Sequence, residues 1–278
     1  MLLKSLFISS YISLLTLASG HAAWMLTSDS SNLAWWGALV ATLPSLAFFI
    51  RLFLAPVARM NAVMWPLIAA NIIATGLLLR ADSASAWPWV YVLGVGWVGN
   101  LAYQLWYSRF GRQASHALKL GQQLPVLTLQ NSDGSSLSTA SLQGPLLIIF
   151  YRGNWCPLCM AQIREVAEQY QALAALGVQT LLVSPQPHSN TADLAERFNV
   201  PFHFLVDKNN AVARALGIIA ESGTPMGLQA LGYDSDTVMP TVIMTDAQQK
   251  IIFCDETDNY RVRPEPEVFL KILRGEAI

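Results

Sequence analysis

The sequence predicts an all-α region of four transmembrane helices followed by an α/β domain of three layers. Three observations carry that reading. First, the 278-residue chain is 53% hydrophobic and only 13% charged, with mean hydropathy +0.38, far from the average of soluble domains. Second, the charge is split. Residues 1–108 hold only Lys4, Arg51, Arg59, Arg80, Asp29 and Asp82, whereas thirteen Lys/Arg and sixteen Asp/Glu lie beyond. Third, alternating strand and helix patterns are confined to the charged part.

In the first part, four apolar spans approach the ~20 residues that cross a bilayer: about 5–25, 33–54, 62–79 and 87–107. Trp24, Trp35, Trp36, Trp87, Trp89 and Trp106 lie near span ends, as an aromatic belt requires. The first span also reads as a signal peptide ending at Gly20-His-Ala-Ala23. Its uncharged stretch is long for that purpose and favours a retained helix. Gly94-x-Gly96-x-x-Gly99 has the spacing of a dinucleotide motif but no preceding strand, so its small residues are read as helix-packing positions. Asn71 and Asn100 are read as hydrogen-bonding a neighbouring helix. The region has no cysteine and one histidine, His21, which excludes a thiol relay of its own and a bis-histidine haem within it.

Orientation follows from the short connections. Arg51 and Arg59 flank the second, and Arg109, Arg112 and Lys119 follow the fourth span. The first has no cation, and Arg80 on the third is offset by Asp82. The positive-inside rule places the N-terminus and the C-terminal domain in the cytoplasm, on a multi-pass inner-membrane protein, with a periplasmic domain as the alternative. The expected organisation is a transmembrane region over 1–108, a linker helix over 109–120 and an α/β domain over 121–278. A net charge of −1 without a basic patch argues against a nucleic-acid partner.

The domain pattern opens with a hairpin at Val126–Leu129 and Leu137 around Asp133-Gly134. Leu146–Tyr151 is a buried strand, followed by a helix to about Leu176. A strand at Val178–Val183, a helix at Asn190–Phe198, a strand at Phe202–Val206 and a short helix at Ala211–Leu216 come next. A strand pair at Thr241–Thr245 and Lys250–Cys254 and a helix at Glu265–Arg274 complete the order. Cys156 falls in the turn from the Leu146–Tyr151 strand into its helix, where Pro157 suits the first helical turn. Free amides and the helix dipole favour a thiolate there. Cys159 lies one turn deeper and can close a disulfide with it. A zinc site lacks its second pair of ligands, because the only other cysteine is Cys254 and His188 and His203 stand alone. No metal or cofactor is expected.

The segment Arg152-Gly-Asn-Trp-Cys-Pro-Leu-Cys159 resembles the active site of the peroxiredoxin-like (alkyl hydroperoxide reductase/thiol-specific antioxidant) branch of the thioredoxin superfamily. The resemblance runs from about Gly121 to the C-terminus. It implies a thioredoxin-like fold and a membrane-anchored thiol–disulfide oxidoreductase, with Cys156 attacking and Cys159 resolving. It also implies an external reductant, a thioredoxin or glutathione system, and a protein thiol/disulfide or a peroxide as substrate. One departure bears on that choice. Where the family's pattern has proline and threonine ahead of the first cysteine, this chain has Ile149 and Gly153, so the hydroxyl that helps to hold peroxide is missing. Thiol exchange is therefore favoured over a true peroxidase. A non-catalytic redox sensor or membrane-complex subunit is the reading from another class.

Pro240, directly before a strand, matches the proline that is cis and faces the cysteines in thioredoxin-like proteins. Trp155 either shields the disulfide and offers a docking face or is an interfacial tryptophan. Arg152 either stabilises a thiolate or peroxide oxygen or is a solvated charge. Arg261 and Arg263 either line the site or pair with Asp258 and Glu265. Cys254 is expected to be a buried strand residue.

Overall fold

The computed structural model describes residues 1–82 and 85–276. Residues 83–84 of the third connection and 277–278 at the domain's end lie outside the described residues. The chain divides into two compact units. One comprises Leu3–Pro56 and Asn61–Arg109; the other comprises Met1–Leu2, Val57–Met60 and Phe110–Ile278.

The first unit is helical. Helix α1 spans Leu2–Ser28 and α2 Leu33–Leu54, the latter N-capped by the Asn32 side chain accepting from the Ala34 amide. Helix α3 covers Trp65–Leu79. Helix α4 covers 87–107, α-helical at Trp87–Trp89 and Gly99–Leu101 and π-helical at Val90–Val98 and Ala102–Tyr107. Among the described residues, α1 and α2 are long and apolar enough to cross a bilayer. The third helix begins at Trp65 rather than at 62. Pro66 stands in its first turn, at the second position, and the Met64 backbone before the helix is non-helical (φ −99°, ψ 74°). At ~1.5 Å per residue its 15 residues reach roughly 22 Å.

Small residues set the helix contacts. A Cβ at Gly96 would lie 2.4 Å from Asn71 Oδ1 and 2.9 Å from the Ala41 Cβ, and one at Gly99 2.3 Å from the Tyr11 ring. Gly94 has nothing within 4 Å and is not a packing position. Asn71 bonds within its own helix, Nδ2 donating to Leu67 O (2.9 Å), contrary to the sequence expectation. Asn100 does reach another helix, Nδ2 donating to Ser45 Oγ (3.5 Å). Trp24, Trp36, Trp87, Trp89 and Trp106 are exposed, but Trp35 is buried among Ala22, Leu26 and Ala38. Trp35 is thus a packing residue rather than part of a belt, since its ring fills space that those small side chains leave.

The second unit is built on a seven-stranded sheet. Its strands are β1 (Thr128–Asn131), β2 (Ser136–Ser138), β3 (Leu146–Phe150), β4 (Gln179–Ser184) and β5 (His203–Val206). The remaining two, β8 (Thr241–Thr245) and β9 (Ile251–Asp255), follow the paired two-residue strands β6 (Ile219–Ala220) and β7 (Thr237–Val238). The sheet order is β2-β1-β5-β4-β3-β8-β9. Strands β3, β4 and β5 are parallel, and β8 runs antiparallel to β3. Helices α5 (Pro157–Glu168) and α6 (Tyr170–Ala175) form the first crossover. Helix α7 (His188–Phe198) forms the second. Helix α8 (Ala211–Ala215) precedes β6, and α9 (Pro266–Arg274) ends the chain. This βαβαβ unit with a terminal antiparallel pair and helix is a thioredoxin-like α/β fold. The expected single helix to Leu176 is broken at Gln169 (φ −95°, ψ 10°). The strands β6 and β7 are too short for periodicity to reveal.

Strand β3 is central and buried at every position, and Leu146, Ile148 and Phe150 join Leu181, Val183, Leu205 and Ile243 in one core. A run with no polar alternation is what a strand covered on both faces requires.

The expected linker helix does not form. The stretch from Ser108 to Gln123 is irregular, and from Phe110 onward it belongs to the sheet-containing unit. Its amides are bonded instead to distant acceptors, two of them carboxylates. Phe110 N–H donates to Asp258 O (3.0 Å), Arg112 N–H to Asp258 Oδ1 (3.0 Å) and Ser115 N–H to Glu256 Oε1 (3.0 Å). The Arg112 guanidinium pairs with Glu256 (3.1 Å) and donates to Pro240 O (3.0 Å) and Thr241 Oγ1 (3.1 Å). Val57–Met60 is part of the same unit: Ala58 is buried, Met60 N–H donates to Arg261 O (2.8 Å), and Arg59 pairs with Glu165.

Candidate active site

The carboxyl ends of β3 and β4 and the start of α5 converge on Cys156. Phe150 lies opposite Thr241 of β8, so Pro240 follows at the same edge of the sheet as Tyr151. Cys156 is the N-cap of α5 (φ −92°, ψ 105°), with Pro157 in the first turn. Its Sγ accepts the Cys159 amide hydrogen (3.3 Å), an orphan donor of the helix start. Cys156 and Cys159 form a disulfide, their Cα atoms 5.3 Å apart.

Both sulfurs are covered: Cys156 is 2% exposed and Cys159 0%. The first cysteine is therefore at the helix N-terminus, as its position before Pro157 predicts, but it is not surface-exposed in the disulfide state. The preceding loop is tightly anchored. Asn154 N–H donates to Gln186 Oε1 (2.8 Å), Thr237 Oγ1 to Arg152 O (2.9 Å), and Tyr233 OH to Asn154 Oδ1. Gln186 Nε2 also donates to Tyr151 OH (3.1 Å), whose pKa burial pushes upward. Gln186 and Tyr233 are functional neighbours that sequence reasoning missed. Gln186 had a usable signal, because it follows β4 directly and a parallel sheet places its sites at strand carboxyl ends. Tyr233 had none.

Gly153 takes φ +146°, and a Cβ there would lie 2.6 Å from Trp155 Nε1. Glycine therefore lets the half-buried indole fold back over the loop. The Arg152 guanidinium lies 4.6 Å from the Trp155 ring centre and donates to Gly223 O. Arg152 is buried, so it is not the solvated charge.

The Met239–Pro240 peptide is trans, which corrects the cis expectation. Trans is the ordinary X–Pro isomer. Here the flanking groups are all engaged in it: Met239 N–H donates to Ile218 O (2.8 Å), Thr241 Oγ1 to Met239 O (2.8 Å), and Arg112 to Pro240 O (3.0 Å).

Of the neighbours Arg261 and Arg263, it is Arg263 that is seen to reach the pair. Its Nη2 donates to Cys159 Sγ (3.4 Å), Nη1 to Gln162 Oε1 (2.7 Å) and Nε to Tyr260 O (3.0 Å). Burial and the Arg152 charge lower its pKa to about 10, which leaves it a cation at neutral pH. Arg261 is buried. Cys254 lies on β9, half-buried, its thiol pushed up to about 12 by burial and then by Glu256.

Residues 120–254 match the AhpC/TSA family. The putative peroxiredoxin bcp of Haemophilus influenzae is 30% identical over 105 residues, 37% of this chain and 68% of that protein. The chain belongs to the AhpC/TSA family. A chloroplastic peroxiredoxin Q of Populus jackii is 27% identical over 124 residues, 44% of this chain, which spans 58% of that relative's length. The thiol-disulfide oxidoreductase ResA of Geobacillus thermodenitrificans is 25% identical over 119 residues, 42% of this chain and 67% of that protein. By name, then, these relatives divide between peroxiredoxins and thiol–disulfide oxidoreductases.

Proposed function

We propose that this protein is a membrane-anchored thiol–disulfide oxidoreductase of the peroxiredoxin-like type. The observation that carries the reading is the Cys156–Cys159 disulfide at the start of α5, with Cys156 Sγ accepting the Cys159 amide hydrogen. In the reduced state the same amide and the helix dipole stabilise a Cys156 thiolate. That thiolate attacks a substrate disulfide; the substrate S–S bond breaks, one sulfur departs as a thiolate, and the other is left in a mixed disulfide on Cys156. Cys159 then attacks the Cys156 sulfur, and the substrate leaves as a thiolate. An external thiol donor, a thioredoxin or glutathione system, re-reduces the pair. Pro157 sets the helix start, and Trp155, Arg152 and Pro240 shape the surround.

A peroxidase is the second reading, favoured by the peroxiredoxin names of several relatives. Gly153 speaks against it, since no hydroxyl stands there to hold peroxide. Stopped-flow mixing of the reduced protein with hydrogen peroxide separates the two. Oxidation at the slow rate of an ordinary thiol is expected, while a rapid phase that depends on Cys156 would establish the peroxidase.

For the helical unit we propose four spans in a bacterial-type inner membrane, with the redox unit on the cytoplasmic side. The support is the cation count on connections of alternate parity. Helix α3 is shorter than the ~30 Å hydrocarbon core, so local thinning and the flanking Trp65 and Arg80 would accommodate it. A green-fluorescent-protein fusion at the C-terminus should fluoresce and an alkaline-phosphatase fusion stay inactive. The converse pair of results would put the redox unit outside.

A further inference from the structure

Arg263 is buried, and all three of its nitrogens are directed: to Cys159 Sγ, Gln162 Oε1 and Tyr260 O. Among the described residues the ion pairs involve Arg59, Arg112, Arg214 and Arg274, and Arg263 is in none of them. The charged and titratable groups that face it are Arg152, which repels it, and Asp255 and Tyr260, which favour its charged form. A buried cation with no carboxylate in contact is costly to hold. In the disulfide state the atom it touches is a neutral sulfur, which is a weak acceptor. Reduction changes that balance. A thiolate at Cys159 would supply the missing counter-ion, at contact distance and out of water, where opposite charges act strongly.

We infer that Arg263 holds Cys159 as a thiolate in the reduced protein and is the positioning residue for the resolving step. This rests on the reading of Cys156 and Cys159 as the working pair. The two sulfurs then have separate supports: Cys156 the helix N-terminus, Cys159 the guanidinium. In the mixed disulfide, the Cys159 thiolate donates its electron pair to Cys156 Sγ. The Cys156–Cys159 bond forms, the bond from Cys156 to the substrate sulfur breaks, and that sulfur departs with the electron pair as a thiolate. No proton has to be removed from Cys159 first, so resolution stays fast below the ordinary thiol range. The chemistry needs no further oxidant.

Thiolate absorbance at 240 nm tests this without requiring access to a covered sulfur. In the reduced full chain in detergent, the difference between Cys156→Ser and Cys156→Ser/Cys159→Ser isolates Cys159 and cancels Cys254. The midpoint is expected at least about one pH unit below the ~8.5 of a free cysteine. Adding Arg263→Gln to Cys156→Ser should raise it by about 1–2 units, and Arg263→Lys should restore part of the shift. An unchanged midpoint in Arg263→Gln, with unaltered circular dichroism, overturns the proposal. So does a midpoint at or above ~8.5 with Arg263 intact, a result that stands even if the glutamine variant does not fold. Exchange activity of the unsubstituted protein is measured separately. Its absence would remove the proposed function while leaving the Cys159 titration interpretable.

Discussion

Cys156→Ser should reduce thiol–disulfide exchange to the uncatalysed background, while Cys159→Ser should accumulate mixed disulfides on Cys156. The asymmetry follows from position. Cys156 caps α5 and precedes the helix, whereas Cys159 lies one turn inside and is wholly covered. Serine in place of Cys156 removes the atom that substrate must bond. Serine in place of Cys159 leaves that bond possible and removes only the thiolate that breaks it. Mass spectrometry of each variant after incubation with an oxidised peptide and quenching in acid reads the outcome. Mixed disulfides on Cys159 in the Cys156→Ser variant, with none on Cys156 in the other, would reverse the two roles.

Starting the redox unit at residue 115 instead of 110 should lower its stability by about 3–5 kcal/mol, because it strips one partner from a buried ion pair. Arg112 has a side chain only 2% exposed and holds Glu256, Pro240 O and Thr241 Oγ1 together. Without it, Glu256 keeps its covered position and loses its cation. Against a total of about 5–15 kcal/mol for a domain, such a loss removes a large fraction of the stability and should lower the urea midpoint markedly. Arg112→Ala in the longer fragment should reproduce the effect. Both fragments lack Val57–Met60, so their difference isolates the 110–114 segment. Urea unfolding is easily followed, because Trp155 is the only tryptophan beyond residue 108. Equal midpoints for the two fragments would mean that Arg112 and Glu256 contribute nothing net.

Much of this molecule was legible because its signals are local. The helices α1 and α2 begin and end close to where the apolar runs do, since a continuous apolar stretch carries its own boundaries. The strand, turn and helix around Cys156 could be placed from a buried apolar run, a proline at the first helical position and apolar residues at helical spacing. The same local chemistry put a cysteine at a helix N-terminus and a second within reach of a disulfide. Other features failed for one shared reason: the partner lies far along the chain. Residues 108–123 look helical until Asp258 and Glu256, more than a hundred residues on, offer their amides acceptors. The partner of Arg59, Glu165, was hidden by the same distance, while its reading as a topology signal is unaffected. Trp35 was missed for a different reason: its partners Ala22 and Ala38 are near in the chain, but the room they leave for the ring appears only when α1 and α2 pack.

The division into an apolar helical part and an α/β part, the buried strand before Cys156, and the cysteine pair at the start of its helix all follow from composition and local pattern. These depend on periodicity and on residues adjacent in the chain. Three features depend on long-range packing instead: Pro240 is trans, Val57–Met60 belongs with the redox unit, and Arg263 meets Cys159 Sγ at 3.4 Å. Arg261 and Arg263 are indistinguishable as sequence neighbours. Which of them faces the sulfur depends on how the segment after β9 packs back against α5, an interaction that no local pattern encodes.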